Sequence, residues 1–105
     1  MVDIDVNSLI NQHRREVELG EAVTQLSLNP AFKLVIENHL FKETVQGLVL
    51  QLASMSKSST QYDEVLRELD AISYLQNYLQ NTITKGVDAS LSIREAQYLL
   101  NHDED

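Results

Sequence analysis

The side chains able to do chemistry are few, and their spacing limits what they can do. The chain holds three histidines and no cysteine. His39 and Glu43 are four apart, so on a helix they share a face, and Glu37 lies two before the histidine. A carboxylate-bridged metal site in a helical bundle needs more than that. It takes glutamates from two helices and a Glu-x-x-His pair from each of two others. No Glu-x-x-His occurs, and His13 with Glu16 has the reverse order. No metal or cofactor is therefore expected. His39 is expected half-buried with a local hydrogen bond, and His13 and His102 solvated.

Nucleophilic and phosphate chemistry find no better footing. Ser54, Ser56, Ser58 and Ser59 cluster without a Gly-x-Ser-x-Gly elbow, so turn and cap roles fit them better. The glycines stand at 20, 47 and 86, too far apart to cradle a phosphate. Glu64 and Glu68 read as a solvated helix face. Arg14-Arg15 is followed at once by Glu16 and Glu18, and no helix carries a basic stripe. With a formal net charge of −8, direct nucleic-acid binding is not expected. Tyr74 and Tyr78 share a face with no lysine or arginine close by in sequence, which favours core or interface over base stacking. No enzyme is expected.

The elements that hold these residues are helical. One proline and three glycines punctuate 105 residues, too few breaks for a sheet protein. Apolar residues recur at helical spacing, and no stretch approaches the ~20 needed to cross a membrane. The pattern predicts an all-α single domain: an antiparallel hairpin or bundle of three long helices plus a short C-terminal one. The expected bounds are about 8–28, 30–55, 60–85 and 91–101, with acidic flexible ends at 1–6 and 102–105. Asn7 or Ser8 would cap the first helix, whose apolar set is Leu9, Ile10, Val17, Leu19, Ala22, Val23 and Leu26. Gly20 within it implies a close helix–helix approach, or alternatively a hinge. Asn29 would cap a second helix begun by Pro30. Thr60 with Asp63 would cap the third, and Lys85-Gly86 would end it. Ser92 and Glu95, in capping-box spacing, would open the fourth, whose apolar face is Leu91, Ala96, Leu99 and Leu100.

Two seams stand out. Phe41, Val45, Leu48, Leu52 and Met55 keep a 4-3-4-3 spacing, widened by Phe32, Val35, Ile36, Leu40 and Val49. Tyr62, Val65, Leu69, Ile72, Leu79 and Ile83 form the second. Heptad spacing would put Gln76 on that seam, either as a polar register-setter or displaced by Leu75. Apolar residues flanking both seams suggest a homo-oligomer. The candidate interface residues are Phe41, Val45, Leu48, Leu52, Tyr74 and Tyr78.

The run Gly20-Glu-Ala-Val-Thr-Gln-Leu26, with Asn29-Pro-Ala-Phe32, Val35-Ile36 and Phe41-Lys-Glu43, resembles uncharacterised small helical proteins of tailed bacteriophages. So does the later stretch Ala71-Ile72, Leu75-Gln-Asn-Tyr78-Leu79 and Lys85-Gly86. The likeness covers about residues 17–90. It implies a phage-borne accessory or structural protein and supplies no catalytic residue. The partners then expected are a second copy, other phage structural proteins or a host protein. The place expected is the host cytoplasm or the virion. The acidic start, Met1-Val-Asp-Ile-Asp-Val, is unlike the basic lead of a signal peptide.

The acidity invites a rival function, a small inhibitor that binds a host protein by presenting carboxylates in place of phosphates. Five of the negative charges belong to Asp3, Asp5, Asp103, Glu104 and Asp105, which leaves the helical body near −3 on the same count. That is an ordinary solvated surface. An assembly or interaction protein is the leading expectation.

Overall fold

The computed structural model describes the backbone of residues 2–102 and the side chains of residues 7–101. It is all-α, with no strand among the described residues. Helix α1 spans Val2–Leu28. A second helical run passes through three registers: α2 (Pro30–Phe32), a π-helical stretch (Lys33–Thr44) and α3 (Val45–Ser54). After a loop at 55–59, α4 runs without a break over Thr60–His102.

The boundaries follow from local chemistry. Asn29 sits in extended geometry, and its side-chain oxygen accepts from the N–H groups of Ala31 at 2.8 Å and Phe32 at 3.2 Å. Two donors orphaned at the helix start are thereby satisfied, and Pro30 has no N–H to leave unpaired. At α4 the cap lies one residue earlier than expected. Ser59 Oγ, not Thr60, accepts from the Tyr62 N–H at 3.1 Å, and the same hydroxyl donates to the Ser56 carbonyl at 2.8 Å. α1 begins at Val2 and not at Asn7 or Ser8. The expected acidic tail 103–105 lies outside the described residues.

The contacts divide the chain into two compact units, residues 1–25 with 80–105, and residues 26–79. In the first unit, parts of α1 and α4 cross at Gly20 and Gly86, both buried. A methyl group on Gly20 would lie 3.0 Å from the Gly86 Cα and 3.1 Å from the Thr82 carbonyl oxygen. One on Gly86 would lie 3.0 Å from the Gly20 Cα and 3.1 Å from the Glu16 carbonyl oxygen. The obstacles are backbone on both sides, so neither can swing away. This is the close approach anticipated for Gly20. It also corrects the expected helix end at Gly86. No glycine among the described residues has positive φ, and Gly86 continues the helix. Its missing Cβ serves packing, not termination. Ser92 and Glu95 consequently lie inside α4 and open no fourth helix.

In the second unit, Leu48 and Val65 are the buried apolar side chains. The half-buried positions before Leu48 are Phe32, Ile36, Glu37, Leu40, Phe41, Thr44 and Val45. They recur every four residues or so, wider than the α period. An i→i+5 ladder winds more residues per turn, which brings Phe32, Ile36 and Leu40 to the inner face and turns Val35 out. On α4 the seam Tyr62, Val65, Leu69, Ile72 and Leu79 faces inward as expected, and Leu75 joins it while Gln76 is exposed. The polar register-setter is thereby set aside.

These glycines differ in a testable way. Gly20→Ala or Gly86→Ala should destabilise the protein by about 1–3 kcal/mol through overpacking, despite the better helix propensity of alanine. A Cβ on Gly47 meets nothing within 4 Å. Gly47→Ala should therefore stabilise by roughly 0.5–1 kcal/mol. Urea unfolding of the three variants measures both signs.

Candidate functional site

The residues singled out for chemistry stay scattered. His39 Nδ1 and Glu43 Oε2 lie 3.0 Å apart, a contact in which the imidazole N–H donates to the carboxylate. Both side chains are exposed, so the local bond is as expected and the half-burial is not. The π-helical register puts the pair outside the inward positions. No group of three or more histidines and carboxylates among the described residues could hold a metal ion. Ser56 and Ser58 share a hydroxyl–hydroxyl contact of 3.0 Å, and Ser54 donates to the Gln51 carbonyl. All three serve the loop. Arg15 pairs with Glu18 across an exposed 3.8 Å.

His13 departs from the solvated place expected for it. It is half-buried on the inner face of α1, between Ile10 and Val17. Glu16 Oε1 lies 3.4 Å from its Nδ1, yet that nitrogen is shielded from water and makes no hydrogen bond. The side chain of His102 lies outside the described residues.

Beside the Gly20–Gly86 crossing the first unit carries an open trough of about 360 Å³. Val17, Ile83 and Val87 give it apolar walls, and Glu21 is its one titratable group. The Thr24 hydroxyl there is already committed to the Gly20 carbonyl at 2.9 Å. The trough offers no pair of acid and base.

The candidate interface residues separate into two sets. Leu48 is buried, and Phe41, Val45 and Leu52 are half-buried within the second unit, so these four form its internal seam. Tyr74 is 73% exposed and Tyr78 also faces out. Several exposed apolar residues were missed as such: Leu34, Leu50, Leu66, Val87 and Tyr98. Leu91, Leu99 and Leu100, expected to share one apolar face with Ala96, are exposed while Ala96 is half-buried. In all, sixteen large apolar or aromatic side chains are exposed among the described residues, against five apolar ones buried. Helical spacing says which residues share a stripe but not how many stripes a small unit can cover. No helix among the described residues is long and apolar enough to cross a membrane.

Comparison with family models, curated proteins and solved structures gives no match.

Burial separates the two sets energetically. Leu48→Ala, at 6% exposure, should cost about 2–4 kcal/mol, whereas Leu50→Ala, at 72%, should move the stability of the separated chain by less than ~0.5 kcal/mol. His13→Leu should stabilise by about 1 kcal/mol, because it removes a sheltered nitrogen that has no hydrogen bond. Urea midpoints at low protein concentration measure all three.

Proposed function

We propose that this chain is a non-enzymatic helical assembly protein that works as a homo-oligomer. The observation that carries the reading is that, among the described residues, sixteen large apolar or aromatic side chains are exposed and fifteen are half-buried, while five apolar ones are fully buried. Scattered exposed leucines need no explanation, but monomers rarely leave so large a share of their apolar residues wet.

The finer architecture belongs to the same proposal. The loop at 55–59 is short, and helices joined by short connections lie antiparallel. Antiparallel hairpins that present apolar outer faces would bundle on association. The likeness of residues 17–90 to small helical phage proteins supports a phage-encoded virion, morphogenesis or accessory component, acting in the virion or the host cytoplasm.

Light scattering across the micromolar range should give a mass of two or more chains that persists in high salt, because apolar burial is not screened. A clean monomer throughout would contradict the proposal. A monomer that captures a host nucleic-acid enzyme only at low salt would favour the acidic inhibitor instead.

A further inference from the structure

In the second unit two helical registers compete for the same residues. Phe41, Val45, Leu48, Leu52 and Met55 are buried or half-buried and keep a 4-3-4-3 spacing. Continued backwards at the α period of about 3.6 residues per turn, that spacing lands on Asn38 and then Leu34. The structure leaves both of those exposed, Leu34 at 66%. Phe32 and Ile36 are half-buried instead. In an α-helix drawn through Phe41 these two would stand on the far side, about 180° and about 140° round. The π-helical stretch Lys33–Thr44 makes the difference, because its wider turns carry Phe32 and Ile36 to the inside. Glu37 lies beside the seam in either register and does not discriminate.

Two opposing terms set the register. The stretch runs for 12 residues, whereas π geometry mostly comes as single turns inside α-helices. Intrinsic preference therefore favours α. The ends are already α-like: Lys33 has φ −59° and ψ −44°, and Thr44 has φ −65° and ψ −43°. An α register is thus continuous with α2 and α3 on either side. Against it stands one amide. The α register would bring Asn38 to the seam of α4, where Val65, Leu69, Ile72, Leu75 and Leu79 offer no hydrogen-bonding side chain. Burying an amide without a partner is costly. The π register keeps Asn38 in water and covers Phe32 and Ile36 in place of Leu34.

We infer that Lys33–Thr44 is a register switch, with an α-helical state close in free energy to the π-helical one, and that Asn38 is the positioning residue that holds the balance toward π. The shift changes the surface without unfolding the helix: Leu34 goes in, and Phe32 and Ile36 come out. Two such states of one element are what a binding event can select between.

Backbone NMR of the whole chain reads the register directly, through couplings across hydrogen bonds. In the wild type the Leu40 amide should couple to the Val35 carbonyl, five residues back. In Asn38→Leu it should couple to the Ile36 carbonyl, four back, with the same one-residue shift through the stretch. Asn38→Gln, a better helix former that is still polar, should keep the wild-type pattern. Relaxation dispersion on the wild type should show microsecond–millisecond exchange over residues 33–44 and not over 65–79. The minor state, at roughly 0.1–10%, should have the shifts of Asn38→Leu. Five-residue couplings that persist in Asn38→Leu, or are lost in Asn38→Gln, would overturn the role of Asn38. A wild-type chain with no exchange over 33–44, or with exchange toward other shifts, would overturn the switch.

Discussion

How few faces a helix can cover in a small unit governs everything else in this protein. In the first unit only parts of α1 and α4 meet, so each can hide one stripe from water. Ile10, Val23 and Ala89 are the apolar residues buried there, and the second unit adds Leu48 and Val65. Hydrophobic burial is the main favourable term in folding, and conformational entropy opposes it at similar size. A chain with this little buried must either remain marginal or complete its core with another molecule.

At the Gly20–Gly86 crossing the backbones of α1 and α4 come together. Bringing two backbones into contact shortens the distance across which side chains must reach. It lets Ala89, a small residue, be the most buried of the apolar side chains among the described residues. It also costs helix propensity twice, about 1 kcal/mol for each glycine against alanine. Val87 and Leu91, away from the crossing on α4, are 57% and 52% exposed.

Much of this was legible in the sequence where one residue's chemistry decides one feature. Asn29-Pro30 announces a capped start, and the structure places Asn29 as that cap. The seam Tyr62, Val65, Leu69 and Ile72 follows from spacing alone. Legibility failed where a residue type has two uses. Glycine after lysine at 85–86 reads as a helix end, yet the same lack of a Cβ permits a helix crossing, and only the position of Gly20 in space tells them apart. Once α4 was divided there, Leu91 was grouped with Ala96 on one face. The π register over Lys33–Thr44 was invisible for a different reason, since seam spacing was read at the α period. Val35 and Leu48 looked alike in sequence, and one is exposed while the other is buried.

Folding that draws stability from a second copy must gain with protein concentration, by mass action. The decisive measurement is thermal unfolding of the wild-type chain over a roughly hundredfold range of concentration. The midpoint should climb steadily across that range, by several degrees for a domain of this size. A midpoint that does not move would show that the chain folds alone, with its apolar faces left to water.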